Sequence, residues 1–391
     1  MEHNRVIIVG TVPYNRNMTS RAFDAYFHNW EKENIRQIFS NTKIPVKGHC
    51  GSLYQITDQR LLKRWLHKTK EVGKIFEYED LPDDWENNDL EVGSKTVSKL
   101  YKIGSKGSPL KHILRGVLWK KKYWNTKKLN DWLDEFKPEC VFLAFSDDYF
   151  IPRIALYISE KYDIPIMSCI GDDYYFNDKK SLSPFYHIYR KTYKNLIDKV
   201  FKRPGSAMYI GNKIKDKYNK EFGLNGETIY LTSDIERRNF KPVNVDTPKV
   251  IYCGNISMGR NNSLVDIGNA LQNINPNYRL DVYSAETKEE YIKPLNDCTG
   301  VIFHGAVPYT EVMKLTKESD INIIVEGFKK KDIDITRYSL STKAADAIAS
   351  GGNIFAYGDI NCGVIEYMQG TGCAVVCTDK DKLEKDLKKL I

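Results

Sequence analysis

The chain has 391 residues, room for two domains of ordinary size, and 41% of them are hydrophobic, which excludes wholesale disorder. A net charge of +8 favours an anionic partner: nucleotide phosphates, a lipid head group or nucleic acid. Eight scattered cysteines form no Cys-x-x-Cys pair, which argues against a zinc or redox motif and for buried free thiols in a reducing cytosol.

In chain order, Met1-Glu-His-Asn-Arg leads straight into a strand, so no signal peptide is expected. No apolar run approaches the ~20 residues of a membrane span. Arg5-Val-Ile-Ile-Val-Gly-Thr reads as a strand ending at Gly10, the usual opening of a doubly wound α/β domain. The polar loop after it carries Asn15, Arg16 and Ser20, and Arg21 to Trp30 reads as a helix. The loop lacks Gly-x-Gly-x-x-Gly, which counts against a dinucleotide cofactor. Ile35 to Phe39 is the next strand. His49, in Lys47-Gly-His-Cys-Gly-Ser, is a candidate acid/base group or sugar-hydroxyl contact, though a lone histidine is more often structural. Residues 73 to 108 read as a variable surface excursion.

Leu110 to Lys128 sets Ile113, Leu114, Val117 and Leu118 at helical spacing, with lysines, Trp119 and Trp124 around them. That composition predicts an interfacial helix on anionic lipid, or else a helix with one core face and one solvated face. Glu139 to Ser146 is a buried strand ending at Asp147-Asp148. Ile164 to Gly171 is another, ending at Asp172-Asp173. Both acidic pairs fall at strand carboxyl ends, where ligands bind in open parallel sheets.

Ser233 to Pro248, polar and with two prolines, reads as a linker. This places one domain at 1–235 and a second at 248–391. Lys249-Val-Ile-Tyr-Cys-Gly-Asn-Ile-Ser-Met-Gly-Arg restarts the strand–glycine loop–helix pattern. Gly254, followed by Asn255, allows close backbone approach, and Arg260 can bind phosphate bidentately. Val301-Ile-Phe-His-Gly-Ala-Val-Pro gives a strand and turn carrying His304, Val307 and Pro308. A further strand leads to Glu326. The stretch from Tyr338 to Gly352 then reads as a short helix. Its start carries Ser339, Ser341, Thr342 and Lys343, and Gly351 with Gly352 ends it. Free N–H groups, a positive dipole end and Lys343 suit phosphate. Asp346, one turn on, suits sugar hydroxyls. The same stretch also reads as an ordinary capped helix.

In combination, Gly-Asn-Ile…Gly-Arg, His-Gly-x-Val-Pro and Ser-Thr-Lys-x-x-Asp resemble the donor site of GT-B glycosyltransferases, particularly family 4-like bacterial capsular and exopolysaccharide enzymes. The resemblance covers the second half in motif and the first half only in layout. It implies two doubly wound Rossmann-like domains facing across a cleft, the second holding a nucleotide-diphospho-sugar and the first an acceptor. It implies that Lys343 and Arg260 meet the diphosphate, that Asp346 stands where Glu is usual at the ribose, and that the base lies against His304, Val307 and Pro308. Gly254, Asn255, Glu326, Ser339, Ser341 and Thr342 complete the donor set. The other glutamate position of the motif holds Tyr338. Asp173 takes the place of a group that faces the sugar. Retention of configuration and the absence of a metal are inherited from the same resemblance.

The expectation is sugar transfer from that donor to a saccharide acceptor, polyprenyl-diphosphate-linked, in surface polysaccharide assembly. It places the protein in the cytoplasm, peripheral on the inner face of the membrane. The rivals are a catalytically silent GT-B-like subunit that stabilises a partner and a GT-B-shaped nucleotide-sugar epimerase. No nucleic-acid-reading motif is present.

Overall fold

Val6–Val9 forms β1, four buried residues in a row, as expected of a strand covered on both faces. The computed structural model describes residues 3–13, 25–83, 109–178 and 180–391. Asn15, Arg16, Ser20, the start of the helix expected from Arg21 and most of the 73–108 excursion lie outside the described residues. After β1 come β2 (Ile35–Phe39), β3 (Ser52–Ile56), β4 (Gly73–Glu77), β5 (Cys140–Ala144), β6 (Ile166–Ile170), β7 (Gly205–Tyr209) and β8 (Glu227–Thr228). They make one sheet in the order β4-β3-β2-β1-β5-β6-β7-β8. Neighbours are parallel except β3 and β4.

The second sheet contains β9 (Val250–Cys253), β10 (Leu280–Tyr283), β11 (Val301–Gly305), β12 (Ile321–Val325), β13 (Asn353–Tyr357) and β14 (Val375–Cys377). Its order is β11-β10-β9-β12-β13-β14, with every pair parallel. The order reverses at β9, so a crevice opens between the carboxyl ends of β9 and β12. Helix Tyr309–Glu318 packs beside helix Thr342–Ser350, and helix Arg260–Ile274 beside Leu383–Leu387. Tyr252, Leu264, Ile267, Ile323 and Phe355 are core residues between sheet and helices.

These sheets define two units, Met1–Ile229 and Tyr230–Ile391. The sequence reading ends the first domain at 235 and leaves a linker to 248. In the structure residues 230–247 go with the second unit. Arg238 N donates to Ser350 O at 3.2 Å, Lys317 pairs with Glu236 at 3.0 Å, and Tyr278 donates to the Val245 carbonyl.

The segment 110–128 is not one interfacial helix. Helix Pro109–Leu118 stops, a short turn Lys121–Trp124 follows, and helix Lys127–Phe136 starts on a Thr126 cap that accepts from Leu129 N at 3.2 Å. Trp119 and Trp124 are core residues. The Trp119 ring stacks on Phe150 at 4.0 Å, and its Nε1 donates to Asp58 Oδ1 at 2.6 Å. Trp124 Nε1 donates to the Trp119 carbonyl at 3.1 Å. Burying an indole is worth about 3–5 kcal/mol when judged by its truncation, and each ring finds a partner for its N–H, so the core outcompetes the surface. What helix Pro109–Leu118 leaves outside is a stripe of Leu110, Leu114 and Val117. Among the described residues no helix is long and apolar enough to cross a membrane. All eight cysteines are unpaired, and burial pushes the Cys50 thiol up to about 12.

Candidate functional site

At the end of β9 the chain turns at Gly254, whose φ of +144° is rarely adopted by a residue with a side chain. Its N–H donates to the Tyr283 carbonyl at 2.8 Å. The space where a Cβ would point is filled: an atom there would lie 2.6 Å from Lys343 Nζ and 2.8 Å from Lys343 Cδ. Lys343 comes from helix Thr342–Ser350, which Gly351 ends in the left-handed conformation. Its ammonium donates to the Tyr252 hydroxyl at 2.9 Å and sits over that ring at 4.5 Å. Tyr252 in turn donates to the Asn255 carbonyl at 2.5 Å, so one buried ring fixes both the lysine and the exposed turn.

Ser341 is the N-cap of this helix, extended, and its hydroxyl makes no capping bond. The first-turn N–H groups are therefore not satisfied by that side chain, and the positive end of the dipole adds to the lysine charge. Thr342 is exposed, with Ser339 half-buried just before it. The helix N-terminus and the lysine meet at the crevice of the second sheet, so the arrangement favours an anion there.

Asp346 follows Lys343 by three residues and shares its helix face. Burial pushes the Cys253 thiol up to about 12, while Lys343 lowers it and Asp346 raises it, so both charges lie close to the end of β9. Asp346 is a buried residue, 5% exposed. Its Oδ1 accepts from Ser233 Oγ at 2.6 Å, and the Tyr309 hydroxyl lies 3.4 and 3.5 Å from its two oxygens. Sequence reasoning missed Ser233, Tyr309 and Tyr252. Tyr309 was within reach, because it directly follows the Val307-Pro308 turn.

That turn leaves β11 at Gly305, with φ of +76°, and Pro308 caps the helix that Tyr309 opens. Val307 is half-buried and Pro308 exposed. His304 is also exposed; its Nε2 is 2.6 Å from Asp281 Oδ1, and its ring stacks on Tyr283 at 4.5 Å. Two strands thus hold the imidazole as part of a flat, stacked surface beside the turn.

Arg260 and Glu326 are brought together, but against each other. Arg260 Nε donates to Oε2 at 3.0 Å and Nη2 to Oε1 at 2.8 Å, and both side chains are buried. Burial pushes the guanidinium's pKa down and the Glu326 carboxylate more than reverses it, so the charge is held. The guanidinium edge expected to receive phosphate carries a bidentate carboxylate in the structure, and Glu326 is likewise turned inward. The pair ties the turn after β9, where Gly259 has φ of +78°, to the end of β12.

In the first unit Asp173 is buried. Its Oδ1 accepts from Phe176 N at 2.8 Å and from the Tyr218 hydroxyl at 2.9 Å, which makes it an anchor of an aromatic cluster rather than a group presented to a sugar. The neighbouring Asp172 is the exposed member of the pair. Asp148 pairs with Arg115, which also holds Asp58 at 2.9 Å. His49 precedes Gly51, whose N–H donates to the Ile35 carbonyl at the start of β2, 3.0 Å away. A five-residue strand spans ~16 Å, so His49 lies at the amino edge of the sheet and Asp172 at the carboxyl edge. The loop between β2 and β3 runs back across the sheet before the second parallel strand begins, and it carries His49 away with it.

No protein-family model matches the chain, and no curated protein sequence matches it. Solved structures do. The E. coli trehalose-6-phosphate protein bound with UDP-2-fluoro glucose matches with a TM-score of 0.55 and 10% identity, over 99% of this chain and 91% of that one. Anabaena HepE in complex with UDP matches with a TM-score of 0.54 and 12% identity, over 100% of this chain and 89% of that one. The chain spans about half the length of TarM: 66% of it aligns with 50% of TarM, at 13% identity and a TM-score of 0.48. Two parallel-sheet units, the second wound in the order that opens a crevice at β9, and likenesses that run over nearly the whole chain lead to one architecture. The chain has the GT-B fold, that of the glycosyltransferases it resembles.

Proposed function

We propose that this protein is a glycosyltransferase that moves a sugar from a nucleotide-diphospho-sugar to a saccharide acceptor. The observation that carries the reading is Lys343, laid across Gly254 at a helix N-terminus in the crevice of the second sheet. The solved structures of similar fold contain UDP or a UDP-sugar, which supports the donor class. In this reading the diphosphate sits on the first turn of helix Thr342–Ser350, with Ser339, Ser341, Thr342 and the Gly254-Asn255 turn around it. The ribose lies toward Asp346, and the base lies on the surface made by His304, Val307 and Pro308.

In the reaction the bond from the sugar's anomeric carbon to the leaving phosphate oxygen breaks. A bond from an acceptor hydroxyl oxygen to that carbon forms. The acceptor's proton passes to a donor phosphate oxygen, with retention of configuration. Negative charge builds on the leaving diphosphate, where Lys343 and the helix N–H groups are already aimed. No metal is required, because fixed protein charge replaces it. Arg260 acts as a positioning residue through its hold on Glu326. The acceptor is assigned to the carboxyl edge of the first sheet, where Asp172 is exposed, and is a polyprenyl-diphosphate-linked saccharide of surface polysaccharide assembly. The protein then works in the cytoplasm, docked on the inner face of the membrane.

A catalytically silent subunit is the second reading, favoured by the closure of Arg260 onto Glu326 and by Tyr338 at a position usually acidic in the motif. Two measurements together test the proposal. A thermal-shift screen of nucleoside diphosphates should show stabilisation by mass action. Release of nucleoside diphosphate should require both donor and acceptor saccharide. Binding without release supports the silent subunit; no binding at all removes both readings.

A further inference from the structure

Asp346 has a side chain one methylene shorter than Glu, about 1.5 Å less reach. Its carboxylate is buried, Oδ1 is bonded to Ser233, and the Tyr309 hydroxyl stands near both oxygens. The group next outward on this chain of bonds is the Ser233 hydroxyl, and Ser233 is half-buried, not covered. We propose that Ser233 is the ribose-contacting, specificity-determining residue of the donor site, with Asp346 acting through it. This rests on the nucleotide reading of the site given above.

The hydrogen-bond inventory supports the assignment. A serine hydroxyl has one donor and two lone pairs. The donor goes to Asp346 Oδ1 at 2.6 Å, and one lone pair receives Ile235 N–H at 3.3 Å. The second lone pair is suited to a ribose hydroxyl. Donation to a buried carboxylate polarises the serine oxygen and makes it a better acceptor. The distance along the helix also fits, since Asp346 is one turn from Lys343, as ribose is one unit from diphosphate.

The serine is held, not swinging. Ile235 is buried. Arg238 N donates to the Ser350 carbonyl at 3.2 Å, its Nη1 donates to the Lys317 carbonyl at 3.0 Å, and Glu236 pairs with Lys317 at 3.0 Å. These ties fasten residues 233–238 to the end of the lysine helix and to the end of helix Tyr309–Glu318. Such a fixed hydroxyl loses little entropy on binding.

The test compares UDP with 2′,3′-dideoxy-UDP by titration calorimetry, in the full chain; GDP and its dideoxy analogue serve if GDP is held more tightly. The wild type should prefer the ribonucleotide about tenfold, the value of one good hydrogen bond. Ser233→Ala should weaken UDP binding about tenfold and leave the dideoxy analogue unchanged, erasing the preference. Ser233→Thr, which keeps the hydroxyl, should restore it. If the alanine variant melts too early to titrate, Ser233→Cys reads the same way, because a thiol accepts poorly. A preference retained in Ser233→Ala or Ser233→Cys overturns this inference and leaves the nucleotide site standing. A wild type that holds both nucleotides equally, or neither, overturns the ribose reading as well.

Discussion

Lys343 lies across Gly254, its ammonium 2.6 Å from where a Cβ on the glycine would sit. The two residues are 89 positions apart in the chain and make one feature: a charge pressed onto a bare backbone turn, braced by Tyr252. Loss of either partner should be felt by the diphosphate.

Lys343→Ala should reduce turnover by ~10²-fold or more with the fold intact, as loss of a main charge stabiliser does. Gly254→Ala should lose activity on a similar scale, since the methyl both strains a φ of +144° and displaces the lysine. The double variant should be little worse than either single one, because both remove the same feature. Steady-state kinetics at saturating donor measure this. Fully additive losses would show that the two act separately.

Arg260→Ala and Glu326→Ala should each destabilise the protein by about 3–5 kcal/mol, because either leaves a buried charge without its partner. Denaturant unfolding of the two variants checks this. A small stability loss with a large loss of nucleotide affinity would return Arg260 to the phosphate.

Activity should persist in excess chelator. Complete loss restored by magnesium or manganese alone would point to one of the acidic pairs, Asp147-Asp148 or Asp172-Asp173, as the metal's holder.

One guanidinium serves two carboxylates: Arg115 bonds Asp58 and Asp148. Burial pushes the Asp148 carboxyl up to about 6; Arg115 opposes this, and Asp147 and Asp58 add to it. The folded state therefore binds a proton that the unfolded chain releases near pH ~4. Stability from this group is full below that pH and falls as pH rises through about 6. Asp148→Asn should flatten the decline in unfolding free energy between those values. An unaltered slope would mean that the proton resides on another group.

Wild-type protein should sediment with anionic liposomes at low salt, and less as salt shortens the Debye length. Leu114→Ser with Val117→Ser should weaken this, since those residues and Leu110 form the exposed stripe of their helix. Lys120, Lys121 and Lys122 changed to Glu should abolish it, with nucleotide binding retained. Indifference to anionic vesicles would favour a soluble acceptor.

Much of the fold was legible because strands buried on both faces read as unbroken apolar runs. Val6–Val9 and Val250–Cys253, each closed by a glycine, announced the two sheets. The lysine helix was legible because its signals are local: small hydroxyls, alanines, then Gly351. What failed was long-range. Arg260 looks like a phosphate ligand until Glu326, 66 residues on, is seen to hold it. Lysines beside Trp119 and Trp124 look like a membrane face until the chain is seen to break at the end of Leu118 and turn both indoles inward. Ser233 sat in a stretch whose polarity reads only as a connector. Its role depends on Asp346, which no local pattern links to it.

The strap from Ser233 to Arg238 also decides where this protein can be cut. A second half begun at Pro248, as composition invites, leaves out Arg238, whose N–H and guanidinium meet the carbonyls of Ser350 and Lys317 at the ends of two helices. It also leaves Asp346 without the Ser233 hydroxyl that donates to it. A second half begun at Tyr230 keeps all three and retains the tilted ring contact of Tyr230 with Tyr367 at 5.6 Å. The residues from Tyr230 to Arg238, anonymous in sequence, belong to the second unit as a seam belongs to the cloth it closes, and fragments begun on either side of them should differ sharply in melting temperature.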